Sequence, residues 1–168
     1  MTELQLEEVF SSFKIVLADE QKVAGLGDLF KEMYDHFYEA NGITRLPENG
    51  FKNWMVGYGR SCTVSRTVYI CYHADECIGM IEGQIKIGAS TSGLGKLGHI
   101  AHLYVKPEYR RQGLAKKLYL IQKKWFLSKN VSNETLDVVY GNKVALGFWS
   151  SIGFKPSFLN FIKSADDK

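Results

Sequence analysis

Apolar residues along this chain follow two rhythms, and the switches between them mark out its elements. Residues 13–18, FKIVLA, read as a short first strand. Val23, Leu26, Phe30, Met33 and Phe37 then fall at helical spacing, and Asn41 with Gly42 supplies a stop. Pro47 opens a second helical stretch carrying Phe51, Trp54, Met55 and Tyr58. Residues 67–72, TVYICY, are apolar, β-branched and aromatic throughout, which predicts a central strand. Residues 77–87 return as its partner and alternate. Gly79, Ile81, Gly83, Ile85 and Ile87 face one way; Ile78, Met80, Glu82, Gln84 and Lys86 face the other. A carboxylate in mid-strand marks either a solvated face or a polar cleft. Residues 88–98, GASTSGLGKLG, read as a mobile loop. Residues 100–105 are the next strand, ended by Pro107, which cannot donate to a ladder. A helix begins near Gln112 and Gly113, with Leu114, Leu118, Ile121 and Trp125 as its buried stripe. Residues 135–140, TLDVVY, form another strand, and the strand–helix–strand order implies that it runs parallel to 100–105. Asn142 can cap a helix over 143–152, ended by Gly153, and residues 154–163 give a last strand or a broken pair.

Composition narrows the class. The 168 residues suit one domain with a real core, and 45% hydrophobic with 23% charged residues is ordinary globular usage. A net charge of +3 points to neither nucleic acid nor membrane as a partner. Cys62, Cys71 and Cys77 are odd in number and lack metal-ligand spacing, which suits a reducing compartment. The first residues, MTELQLEEVF, are acidic and have no signal-peptide core, and no apolar run approaches a membrane span. A cytoplasmic protein without a metal is the expectation.

The densest chemistry lies between Leu103 and Lys116. The first amides of a helix have no internal partner, and the helix dipole makes that end positive, so the junction suits a phosphate. Gly113 admits a close anion, Ala115 keeps the next turn small, and Arg110 and Arg111 add forked donors. An ordinary helix start with a solvated basic turn is the competing reading. The order Leu103-x-Val105-x-Pro107-x-x-Arg110-x-x-Gly113-x-Ala115 resembles the acyl-CoA-binding signature of the GNAT superfamily of N-acyltransferases. Asn142-x-x-Ala145-x-x-Phe148-Trp149, followed by Gly153-Phe154, resembles that superfamily's next motif.

The resemblance implies an α/β fold of the α+β type: a mixed, mostly antiparallel sheet with one splayed parallel strand pair and helices on both faces. It implies one N-acetyltransferase domain over residues 1–168, with acetyl-CoA as cosubstrate. The reaction would be direct attack of a primary amine, on a small molecule or peptide, through a tetrahedral intermediate. The main chain of Leu103 and Val105 would pair with the pantetheine arm, and the Val105 amide would face the oxyanion. Arg110, Arg111, Gln112, Gly113, Leu114, Ala115 and Lys116 would hold the pyrophosphate. Asn142 would contact the pantetheine or simply cap its helix. A homodimer is compatible with all of this.

An amine nucleophile must lose a proton. By the same resemblance His102 is the leading base; Glu82 is the runner-up, and His99, placed by alternation on the other face, is weaker. Where superfamily members commonly carry a tyrosine acid, this chain has Trp149, whose indole is not a usable acid. Trp149 would instead line the acyl site or fill the core, and Tyr140 or Tyr104 would take the acid role. A non-catalytic acyl-CoA-binding module is the alternative function. The acceptor stays open: Glu32, Asp35, Glu39 and Glu82 could favour a polyamine or aminosugar, or could simply be solvated.

Overall fold

The computed structural model describes residues 12–62, 64–90, 93–157 and 159–161. Five strands form one sheet in chain order: β1 (Phe13–Leu17), β2 (Arg66–His73), β3 (Glu76–Ser90), β4 (Gly93–Val105) and β5 (Glu134–Leu136). The first four pair antiparallel, and β5 runs parallel to β4. A crossover helix, α4 (Leu114–Ser128), supplies the return that a parallel neighbour requires. Three helices lie between β1 and β2: α1 (Glu20–Ala24), α2 (Gly27–Asn41) and α3 (Gly50–Gly59). The last helix, α5 (Lys143–Ser151), follows β5.

The sheet separates two cores. Val68, Ile70, Met80 and Tyr104 point to the side covered by α1–α3, where they meet Val23, Leu26, Phe30, Met33 and Tyr58. Cys71, Ile81, Ile100 and Val105 point to the other side, against Leu114, Leu118, Phe126 and Trp149. Fully burying an aliphatic side chain contributes about 1.5–3 kcal/mol, so each layer is held chiefly by such contacts. Helices therefore cover both faces, as the pattern predicts.

Several expectations are corrected. The stretch predicted as one helix from Val23 is two, because the chain turns at Gly25 and Leu26 before α2 begins at Gly27. The described residues of 88–98 are strand, not loop: β3 runs on to Ser90 and β4 starts at Gly93, pairing Ile87 with Lys96 and Ser90 with Gly93; Thr91 and Ser92 lie outside the described residues. Glycine and serine weakened the strand signal there without removing the ladder. The predicted strand over 135–140 is ordered as a strand only through Leu136, and among the described residues of 154–161 no strand forms; Phe158, Ile162 and Lys163 lie outside the described residues. On α4 the buried set is Leu114, Leu118, Tyr119, Gln122 and Phe126, with Ile121 and Trp125 only half-buried at its margin.

Two bulges matter more. Cys71 pairs with Gly79 but Tyr72 with Cys77, so Ile78 is an extra residue in β3 and turns to the α4 side, away from Met80. Glu82 pairs with His102 but Gly83 with Ile100, so Ala101 is extra in β4. His99, opposite Gln84, consequently shares a face with Glu82 and His102. Simple alternation placed it on the other face.

Candidate active site

The site is built on the second half of β4. Parallel pairing with β5 ends at Ile100 opposite Leu136, while β4 continues to Val105. Among the described residues, no strand pairs with that edge of residues 101–105. Backbone alternation sets which groups face that edge. Lys106 donates its amide to Ile78 O at 2.9 Å, so the neighbouring Val105 turns its amide and carbonyl away from β3. Arg110 Nε donates to that Val105 carbonyl at 2.8 Å, which fixes its direction. Leu103, two residues earlier, presents its backbone the same way. The side chains of Leu103 and Val105 stay in the core on the α4 side.

A one-turn 3-10 segment, Pro107–Tyr109, leads to the turn before α4. Arg111 has φ +64°, and Gly113 has φ +79° at the helix N-cap. Both lie in the left-handed region, which Gly113 adopts without the cost a side chain brings. The first α4 hydrogen bond runs from Lys117 N to Gly113 O at 3.0 Å, so the amides of Leu114, Ala115 and Lys116 precede the ladder. Leu114 is buried, Ala115 packs at the core margin, and the Arg111 and Lys116 side chains are exposed. The arrangement fits a pyrophosphate: free amides, a positive helix end, glycine at the approach and exposed cations. Arg110 is engaged differently from Arg111, with its guanidinium 5.5 Å from the Tyr104 ring.

On the opposite face lies a polar hub. Glu82 is fully buried. Its Oε2 accepts from Trp54 Nε1 and from His102 Nδ1, each at 2.7 Å. Its Oε1 accepts from Arg66, whose Nε is at 2.9 Å, and from Gln84 Nε2 at 2.8 Å. Burial alone would push the carboxyl pKa up, but bonds from His102 and Gln84 and the charges of His102 and Arg66 overturn that and hold it at about 2. An ionised carboxylate only accepts, so His102 presents an N–H at Nδ1 to Glu82, and Nε2 is the ring nitrogen turned away from it. Phe30 and Tyr34 pack against the His102 ring at 5.2 and 6.2 Å, and its side chain keeps 14% exposure. Glu82 therefore occupies neither a solvated face nor an open cleft.

His99 is nearly buried and meets Thr135 Oγ1 at 3.2 Å and Asp137 at 3.9 Å. Burial, with Lys86 nearby, moves its pKa down. Asn142 Oδ1 accepts from Ala145 N at 3.0 Å, the geometry of a helix cap. Trp149 is a core residue, edge-on to Tyr119 and Phe154. Tyr140 is 82% exposed on the turn before α5, whereas Tyr104 is buried beside α2. Gly141, at φ +87°, lies so close to Ala40 that an added Cβ would come within 2.5 Å of its carbonyl. This contact brings the chain after β5 back to the end of α2. Trp54, Arg66 and Gln84 were not foreseen as site residues. Gln84 shares a face with Glu82 and was legible on that ground; Trp54 and Arg66 reach it only through the fold.

Among the described residues, no group of three or more His, Cys, Asp or Glu is arranged to hold a metal. No described helix is long and apolar enough to cross a membrane.

A sequence comparison with curated proteins gave no significant match. Among solved structures the chain is similar to the aminoglycoside N-acetyltransferase AAC(6')-Iy in complex with CoA, with TM-score 0.73 and 14% identity over 91% of this chain and 95% of that one. It is also similar to a predicted acetyltransferase with acetyl-CoA from Clostridium acetobutylicum, with TM-score 0.71 and 14% identity over 89% and 96%. A third is the tetramutant of the BH1408 protein from Bacillus halodurans, with TM-score 0.74 and 16% identity over 90% and 99%. At these identities the likeness is one of fold. A family model described as the acetyltransferase (GNAT) family matches residues 25–154, the span from the turn before α2 through the end of α5. With the open β4 edge and the glycine-headed α4 both inside that span, the chain belongs to the GNAT acetyltransferase family.

Proposed function

We propose that this protein is an acetyl-CoA-dependent N-acetyltransferase acting on a primary amine of a small molecule or peptide. One observation carries the reading. A single strand, β4, offers backbone without a partner strand at Leu103 and Val105, ends at an anion-ready helix start, and carries His102 with its Nδ1 held by Glu82. The amides of Leu114 to Lys116, with Arg111, hold the pyrophosphate; Leu103 and Val105 pair with the amide groups of the pantetheine arm. The Val105 amide stabilises the oxyanion. His102 Nε2 takes the proton of the attacking amine, and ionised Glu82 orients the ring and stabilises the imidazolium. Glu82 is thus a positioning residue, its oxygens being committed to Trp54, Arg66, Gln84 and His102.

A side-chain acid is not compulsory, because a thiol with reference pKa near ~8.5 leaves readily as thiolate. Tyr140, on its exposed turn, is the candidate donor; Trp149 supports the core instead. The core position of Trp149 is also what favours the alternative, an acyl-CoA-binding module without catalysis. Amine-dependent release of free CoA separates the two. His102→Ala is expected to keep CoA affinity and lose turnover by roughly 10²–10⁴-fold. CoA binding without any amine-dependent release by the wild-type protein would favour the binding module.

A further inference from the structure

Of the carboxylates that would recognise a polycationic acceptor, Glu32, Asp35 and Glu82 already have a lysine or arginine partner within the chain. Glu32 lies 3.5 Å from Lys106, Asp35 2.8 Å from Lys31, and Glu39 3.5 Å from His36. Glu82 is saturated by Arg66, His102, Trp54 and Gln84. Further cations stand on the same flank. Arg45 stacks on Tyr38 with its guanidinium carbon 3.7 Å from the ring centre, and the Lys106 ammonium is also held by Glu76 at 2.8 Å. A second or third positive charge on a substrate would have to compete with Lys106, Lys31 and Arg66 for Glu32, Asp35 and Glu82.

Apart from Glu82 on its Nδ1 side, His102 is surrounded by rings. Phe30 is buried and forms the floor, 5.2 Å from the imidazole. Tyr34 sits 6.2 Å from it and packs edge-on to Phe37 at 5.4 Å. Tyr34 and Phe37 are half-buried, so each keeps some of its ring free while lying one helical turn apart on α2. Flat, partly exposed rings beside the His102 imidazole offer contact to a flat apolar body.

We infer that the acceptor is a small monoamine carrying an aromatic or comparably flat apolar body, held by Tyr34 and Phe37 with its amine at His102. This rests on the acetyltransferase reading above. Its chemistry is the same transfer: the amine nitrogen forms a bond to the acetyl carbon, the carbon–sulfur bond breaks with its electron pair on sulfur, and His102 Nε2 takes the amine proton.

The test compares 2-phenylethylamine, spermidine and sisomicin by steady-state CoA release, together with calorimetric titration of each amine into the CoA-saturated protein. 2-Phenylethylamine is expected to exceed both polyamines in kcat/KM by roughly 10-fold or more, the scale of discrimination an apolar site supplies. Phe37→Ala and Tyr34→Leu should each raise its KM by roughly 3- to 10-fold with little change in kcat. A melting curve confirms that each variant is folded, and Tyr34→Leu keeps the bulk should Phe37→Ala fail to fold. Turnover of spermidine or sisomicin equal to or above that of 2-phenylethylamine would overturn the inference. If no amine is turned over, the acetyltransferase reading falls, and the binding titration still decides acceptor class: tighter binding of 2-phenylethylamine upholds it, tighter binding of either polyamine overturns it.

Discussion

Among single residues, Glu82 organises the polar side of the site. A buried carboxylate is costly unless its charge is shared, and here five donor atoms from four residues share it. Removing one partner of a buried ion pair typically costs ~3–5 kcal/mol. Arg66 keeps some exposure and stacks near Trp54 and Tyr58, so Glu82→Gln is expected at the low end, about 3 kcal/mol, by chemical denaturation. Its pH signature is also specific. Glu82 binds its proton less readily in the folded chain than in the unfolded one. Its contribution is therefore complete above the usual value of 4.5 and is lost as pH falls toward about 2. His99 adds a second limb at higher pH. Burial lowers its folded pKa below 6.5, so the fold favours the neutral ring and stability declines as pH drops below that value. Melting temperatures of wild type should fall between pH 7.5 and 5, and His99→Gln should flatten that slope. An unchanged slope would mean that His99 is as easily protonated folded as unfolded.

At the scale of elements the decisive feature is where β4 stops pairing and α4 begins. Gly113 holds φ +79°, so Gly113→Ala should destabilise by roughly 1–2 kcal/mol through backbone strain. Gly113→Asp adds like charge at the phosphate approach and should weaken CoA binding far more than Gly113→Ala does. Calorimetry giving equal CoA affinity for both variants and wild type would remove α4 as the anion site. Trp149, on α5, belongs to the same layer. Trp149→Ala should cost roughly 3–5 kcal/mol as a core truncation, whereas Trp149→Phe should retain turnover close to wild type. A large loss of turnover in Trp149→Phe with unchanged stability would give the indole N–H a chemical role after all.

At the scale of the whole molecule, much was legible because the relevant signals are local. The glycine and arginines before α4 follow one another in sequence, as do the strand and its proline, and the parallel pairing follows from the length of the crossover. The misplacements have one common cause, non-local geometry. Ile78 and Ala101 are single extra residues that shift the phase of a strand, and a strand apolar on both faces carries no periodicity to reveal the shift. That slip hid the common face of His99 and His102. Arg66 and Trp54 stand 16 and 28 residues from Glu82 and meet it only when β2 and α3 are assembled. The pairing of residues 88–90 with 93–95 was masked by glycine, which permits a strand as readily as a loop when a partner strand is present. The central claim, that these parts form an acetyltransferase, is tested most directly by incubating the protein with acetyl-labelled acetyl-CoA and an amine panel, with mass spectrometric detection of product. The account predicts a labelled amide that forms with wild type and is reduced roughly 10²–10⁴-fold in His102→Ala. Saturable CoA binding with no labelled amide from any amine would contradict it.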